Sequence, residues 1–73
     1  MTTAEIDAAV KGIVADELKM EVSEVVNETN ISANLDNLVM KFEEEFDIVI
    51  PVEERDFQTV SEAVAYIDNV LNG

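Results

Sequence analysis

The sequence predicts a small all-α bundle of three main helices plus one short helix. Three segments carry apolar residues at helical spacing, and hydroxyl residues stand where two of them would begin. The run Ile48-Val49-Ile50 has no second strand-like run to pair with. With 73 residues and no cysteine, the chain must commit its apolar residues to one core without disulfides. We therefore expect a single domain over residues 1–73.

The first helix is predicted from Thr3 to about Leu18. Thr3 is the expected N-cap, ahead of acidic residues in the first turn. The apolar residues at helical spacing are Ile6, Val10, Ile13, Val14 and Leu18.

A polar connector is predicted from Met20 to about Asn34. Its β-branched residues seldom lie free in water. We expect Val22, Val25 and Ile31 to lie on the core.

The second helix is predicted to end near Asp47. Its apolar positions recur at i, i+3, i+4, i+7 and i+11, which places them on one face. They are Leu35, Leu38, Val39, Phe42 and Phe46. The segment Ile48-Val49-Ile50 then reads as a buried extended connection.

A short helical turn is predicted after Pro51, because proline is tolerated at a first helical position. Phe57 is expected to point inward. Thr59 and Glu62 match a capping box at the beginning of the last helix. The apolar residues of this helix are Val60, Ala63, Val64, Ile67, Val70 and Leu71.

The charge balance limits the classes of partner. Seventeen acidic and four basic side chains give a net charge of −13, which repels nucleic acids and anionic membrane surfaces. No apolar run has the length of a membrane span, and the N-terminus lacks the pattern of a signal peptide. We expect a cytoplasmic monomer whose partners are basic proteins.

The residue inventory also argues against an enzyme. Histidine and cysteine are absent, and two glycines cannot form a glycine-rich phosphate loop. The acidic run Glu43-Glu44-Glu45 with Asp47 lacks the alternating ligands and central glycine of a calcium loop. We interpret it as a solvated helix face and expect no metal site.

One run of residues resembles a known family. Leu38-Val39-Met40-Lys41-Phe42-Glu43-Glu44-Glu45-Phe46-Asp47-Ile48-Val49-Ile50-Pro51 is similar to the second helix and following loop of acyl carrier proteins. The first helix, the position of Val25 in the connector and the closing helix are also similar to the corresponding segments of that family. The resemblance implies a carrier of acyl intermediates, held as a 4′-phosphopantetheine thioester, in fatty acid or polyketide biosynthesis.

The attachment motif of that family, Asp-Ser-Leu, is missing from the sequence. The chain is several residues shorter than the family between Val26 and Leu38. If the gap precedes Ile31, Ser32 occupies the attachment position, and a helix start is a suitable place for a phosphodiester. The same position suits an ordinary N-cap serine, and Asn34 suits that role equally well. If the gap falls instead between Leu35 and Asp36, the attachment motif is deleted.

The resemblance also implies a partner surface. Basic patches of biosynthetic enzymes and of a phosphopantetheinyl transferase would dock on Asp36, Met40, Glu43 and Glu44, with Lys41 interrupting that face. The acyl group would be sheltered between the second and the last helix. The alternative function is an acidic interaction module of the same fold, or a loop-deleted variant, without a prosthetic group.

Overall fold

The computed structural model describes residues 1–73 and contains three α-helices and no strand. Helix α1 spans Thr3–Leu18, α2 spans Leu35–Phe46 and α3 spans Val60–Asn72. Three 3₁₀ turns lie in the connections, at Val22–Glu24, Ser32–Asn34 and Val52–Glu54. The predicted all-α bundle is confirmed, and the short helix predicted after Pro51 is the third of these turns.

The core is one cluster of sixteen buried residues, all of them apolar. Helix α1 packs against both α2 and α3. The predicted apolar face of α2 is confirmed, since Leu38, Val39, Phe42 and Phe46 are buried. On α3 the prediction holds for Val60, Ala63, Val64 and Ile67, but Val70 lies on the exposed side.

The N-cap of α1 is Thr2, so the prediction of Thr3 is wrong by one residue. The Thr2 hydroxyl accepts from the Glu5 N–H at 3.1 Å, and the Glu5 carboxylate accepts from the Thr2 N–H at 2.8 Å. These hydrogen bonds lower the pKa of Glu5. The Thr3 hydroxyl donates instead to Asp68 on α3 at 3.0 Å. The helix itself begins at Thr3, and Thr2 caps it because only Thr2 has a glutamate three residues on.

The connector after α1 lies on the core, although not through every residue predicted. Val25 and Ile31 are buried as expected, whereas Val22 is 56% exposed. Val22 opens a 3₁₀ turn, and Val25, which closes that turn, is the residue that reaches the core.

The end of the connector is joined to the segment before α3. The Ile31 N–H donates to the Gln58 carbonyl at 2.8 Å, and the Val60 N–H donates to the Thr29 carbonyl at 3.1 Å. An isolated antiparallel bridge pairs Asn30 with Thr59. These bonds fix the backbone on both sides of Asn30.

The capping box predicted for α3 is confirmed. The Thr59 hydroxyl accepts from the Glu62 N–H at 3.3 Å, and the Glu62 carboxylate accepts from the N–H groups of Thr59 and Gln58 at 3.0 and 2.6 Å. Farther along α3, the Tyr66 hydroxyl donates to Glu54 at 2.6 Å, and this bond raises the pKa of Tyr66 to about 12.

The connection from α2 to α3 is only partly buried. Ile50 and Phe57 are buried as expected, but Val49 is 79% exposed. The prediction of a buried extended connection is wrong for Val49, because successive side chains of an extended segment point to opposite sides and only one side meets the core.

Candidate functional site

The beginning of α2 is the position at which the resemblance requires a reactive hydroxyl. Ser32 opens the 3₁₀ turn Ser32–Asn34, which runs directly into α2, and its side chain is exposed. The Asn30 side-chain oxygen accepts two hydrogen bonds from Ser32, from the hydroxyl at 2.7 Å and from the N–H at 3.0 Å. The hydroxyl is therefore accessible and held in one direction.

An open depression of about 400 Å³ lies at this end of the helix. It is lined by Ser32, Ala33, Asn34, Leu35, Asp36 and Asn37. Asn34 is the N-cap residue of α2, but its side chain makes no capping hydrogen bond. Neither of the two caps considered from the sequence is formed, because the Ser32 hydroxyl bonds to Asn30 instead of to an N–H group of the helix.

The exposed face of α2 begins beside this depression. Asp36, Met40 and Glu44 recur every fourth residue and are all exposed, with Met40 at 58%. Three of the four predicted partner-binding residues thus share one solvent-facing stripe. A methionine between two carboxylates can supply apolar contact inside an electrostatically steered interface.

Glu43, the fourth predicted residue, is engaged within the chain. Its carboxylate accepts from the Ile50 N–H at 2.8 Å and lies 3.7 Å from the Arg55 guanidinium. Arg55 in turn donates to the Ile50 carbonyl at 2.8 Å. The two side chains satisfy both backbone groups of Ile50 and hold the loop after α2 in place.

These contacts of Glu43 and Arg55 with Ile50 are not predicted from the sequence. The sequence pattern groups Glu43 with its acidic neighbours, although its carboxylate faces the loop after α2. A usable signal was present, since Arg55 is one of only four basic residues in the chain and falls in an otherwise acidic turn. A lone cation among carboxylates usually has a specific partner.

The expectation that Lys41 interrupts the exposed face of α2 is wrong, because its side chain turns toward α1. Its ammonium lies 3.1 Å from the Glu17 carboxylate and 3.5 Å from that of Asp16, both on α1. Asn37 also donates to Glu17, at 3.3 Å. The contact with Lys41, and next the bond from Asn37, lowers the pKa of Glu17, and the Glu17 carboxylate raises the pKa of Lys41. Lys41 therefore joins α2 to α1.

No depression opens between α2 and α3, where the resemblance implies an apolar shelter for the acyl group. The chain has three surface depressions, and none is lined by residues of both α2 and α3. No group of three acidic residues is arranged to hold a metal ion. None of the helices combines the length and apolar character that crossing a membrane requires.

Comparison with known proteins identifies the family of the chain. No protein-family model matches the sequence. The acyl carrier protein of Akkermansia muciniphila is 36% identical over 78 residues, which cover 96% of this chain and 98% of that protein. The acyl carrier protein of Porphyromonas gingivalis is 34% identical over 76 residues, with 93% and 97% coverage.

The chain belongs to the acyl carrier protein family. The two relatives are named as carrier proteins and not as enzymes, which agrees with the expectation that this chain is not an enzyme. The region aligned with the Akkermansia protein extends over 78 positions and exceeds the 73 residues of this chain. That relative therefore contains residues that have no counterpart in this chain.

Acyl carrier proteins work with a phosphopantetheine group, and the start of α2 is compatible with one. A phosphodiester on a serine needs an exposed hydroxyl and space around it, and Ser32 has both. The helix dipole at this end favours an added negative charge. Asp36 acts in the opposite direction through like-charge repulsion, because it lines the same depression.

Proposed function

We propose that this chain is a single-domain acyl carrier whose 4′-phosphopantetheine arm is attached to the Ser32 hydroxyl. It would serve fatty acid or polyketide biosynthesis in the cytoplasm. The observation that carries the proposal is an exposed serine hydroxyl at the beginning of α2 in a member of the acyl carrier protein family. When attached, the arm supplies a thiol that holds the acyl group as a thioester.

Ser32 is the best candidate among the three serines of the chain. Ser23 lies in the 3₁₀ turn after α1, and Ser61 lies in the first turn of α3. Only Ser32 adjoins the exposed stripe of Asp36, Met40 and Glu44. A transferase docked on that stripe would therefore have the Ser32 hydroxyl within the same contact area.

The residues around Ser32 have separable roles in this proposal. Asn30 holds the hydroxyl, and the α2 dipole favours the phosphodiester. The exposed stripe attracts basic patches of partner enzymes, and a net charge of −13 speeds their approach at low salt. Because no depression opens between α2 and α3, an acyl chain would need a rearrangement of the structure to enter the core.

A mass-spectrometric assay tests the attachment site. The purified chain is incubated with coenzyme A and a phosphopantetheinyl transferase, and the protein mass is followed with time. We expect one phosphopantetheine increment that is lost in Ser32→Ala and kept in Ser23→Ala and Ser61→Ala. Modification should be slow, because the acidic and leucine neighbours of the family motif are replaced by Ile31 and Ala33.

Two results would contradict the proposal in different ways. If the increment persists in Ser32→Ala, another hydroxyl is the attachment site. If no increment forms on the unaltered chain, the second candidate function is favoured, an acidic interaction module of the carrier fold without a prosthetic group. The absent Asp-Ser-Leu motif is the observation that keeps this second candidate in consideration.

A charge reversal tests the partner surface. Glu44→Lys places a cation on the exposed stripe and should raise the KM of the transferase for the carrier about tenfold at low salt. Glu28→Lys makes the same change of net charge at an exposed position outside α2 and should leave KM within about twofold. Equal effects of the two variants would show that only the overall charge matters.

A further inference from the structure

We infer that Asn30 is a positioning residue for the attachment reaction at Ser32, an inference that rests on the proposed function. The Asn30 side chain touches Ser32 twice, through the hydroxyl at 2.7 Å and the N–H at 3.0 Å. An N–H group can only donate, so the atom that faces it is the Asn30 carbonyl oxygen. The Ser32 hydroxyl must then donate to that same oxygen.

The backbone that carries Asn30 is fixed on both sides. Ile31 is fully buried, and its N–H donates to the Gln58 carbonyl at 2.8 Å. Thr29 accepts from the Val60 N–H at 3.1 Å, and Asn30 itself pairs with Thr59. The Asn30 amide therefore projects from an anchored segment toward the first residue of the helical turn.

In this arrangement Ser32 does not act as a helix cap. A free serine at a helix start commonly accepts a hydrogen bond from an N–H group of the first turn, which would point its oxygen into the helix. Here the hydroxyl hydrogen is held by Asn30, no N–H group of the helix donates to the oxygen, and Ser32 is exposed. A nucleophile held in one direction reacts with less loss of freedom than a rotating one.

In the attachment step, coenzyme A supplies both the transferred group and the leaving group. The Ser32 oxygen forms a bond to the phosphorus of the phosphopantetheine moiety, and the anhydride bond of coenzyme A breaks. Adenosine 3′,5′-bisphosphate leaves with the electron pair of that bond. The hydroxyl proton passes to solvent or to a base of the transferase, since an amide oxygen orients the proton but does not remove it.

The test compares three variants in the transferase assay. Asn30→Ala removes the acceptor and should lower kcat about threefold to tenfold with KM within about twofold, because docking occurs on α2. Asn30→Asp keeps the acceptor and should stay within about twofold of the unaltered chain. Asn27→Ala is the matched control, an exposed asparagine of the same loop that shares neither hydrogen bond with Ser32.

A second measurement follows the hydrogen bond without any reaction. The Ser32 N–H should exchange with solvent slowly in the unaltered chain and in Asn30→Asp, and several-fold faster in Asn30→Ala. The thermal midpoint should be the same in all of these proteins, because the backbone bonds of this segment do not involve the side chain of residue 30.

The possible outcomes separate this inference from the proposed function. Equal kcat for Asn30→Ala and the unaltered chain would overturn the inference and leave Ser32 as the attachment site. A rise in KM alone would also overturn it, since Asn30 would then be a contact for the transferase. Failure of Asn30→Asp to restore the rate would do the same. No modification of the unaltered chain would overturn both.

Discussion

At the beginning of α3 the Thr59 hydroxyl accepts a hydrogen bond from the helix, whereas just before α2 the Ser32 hydroxyl donates away from the helix to Asn30. At α3 a glutamate three residues later completes the capping box. At α2 the residue three positions after Ser32 is Leu35, which packs against the core. The hydroxyl followed by a glutamate three residues later caps its helix, whereas the hydroxyl without one bonds to a loop side chain.

Helix α2 is consequently held in place by different interactions from α1 and α3. Capping boxes with threonine and glutamate begin both α1 and α3, so these helices have stabilisation from their own sequence. Helix α2 has no capping side chain and is held by burial of its apolar face and by the contacts of Lys41 and Glu43. The weakest helix start of the molecule is therefore the one beside the candidate attachment site.

The largest effect is expected when a buried side chain of α2 is truncated. Phe42 is fully buried and is the largest such side chain in the core. Phe42→Ala should cost about 3–5 kcal/mol of unfolding free energy, a large part of what so small a domain has. Chemical denaturation followed by circular dichroism measures it. A cooperative unfolding transition at nearly the original midpoint would mean that α2 does not depend on burial.

The next test compares the two hydroxyls directly. Thr59→Ala should cost about 1 kcal/mol, because the Glu62 N–H loses its cap. Ser32→Ala should change the free energy of unfolding by less than about 0.5 kcal/mol, because its hydroxyl satisfies no N–H group of α2. Both values come from denaturant titrations. Equal costs at the two sites would identify Ser32 as a structural cap.

The other end of α2 offers a smaller, stabilising change. Asp47 adopts a left-handed conformation with φ 54°, which glycine tolerates at less cost, and its charge is unfavourable at a helix C-terminus. Asp47→Gly should raise the free energy of unfolding by about 0.5–1 kcal/mol. Asp47→Asn removes only the charge and should give a smaller gain. A loss of stability in Asp47→Gly would contradict this account of the C-cap.

The smallest effect is the pH dependence of the α3 cap. Hydrogen bonds from the N–H groups of Gln58 and Thr59 lower the pKa of Glu62 below its ordinary value of 4.5. Its contribution is therefore complete above about pH 4.5 and is lost as the pH falls through the lowered value. The thermal midpoint of Glu62→Gln should lie below that of the unaltered chain at pH 7, and the gap should narrow as the pH falls below 4.5. A gap that stays constant through acid pH would exclude the charge as its cause.

Much of the fold could be predicted from local patterns. The apolar periodicity placed α1 and α2 correctly, and the Thr59–Glu62 spacing located the beginning of α3. The errors at Val22, Val49 and Val70 share one cause. An apolar residue is buried only if the tertiary structure brings another surface against it, and no surface covers these three.

The site was predictable only in outline. The resemblance implied one partner surface of Asp36, Met40, Glu43 and Glu44, and the structure leaves Asp36, Met40 and Glu44 on one exposed stripe. The sequence could not show that Glu43 bonds to Ile50 or that Lys41 faces α1, because those contacts join segments whose relative positions are set by packing.

The sequence by itself determined the helical bundle and its net charge of −13, because periodicity and ionisable groups are properties of the chain order. Its resemblance to acyl carrier proteins supplied Ser32 as a candidate. Only the tertiary structure decided what the Ser32 hydroxyl does. Pairing of the Asn30 backbone with Thr59, nearly thirty residues away along the chain, holds the amide that turns this hydroxyl away from α2. A contact between distant segments forms only after the core has brought them together, and the direction of the hydroxyl depends on that contact.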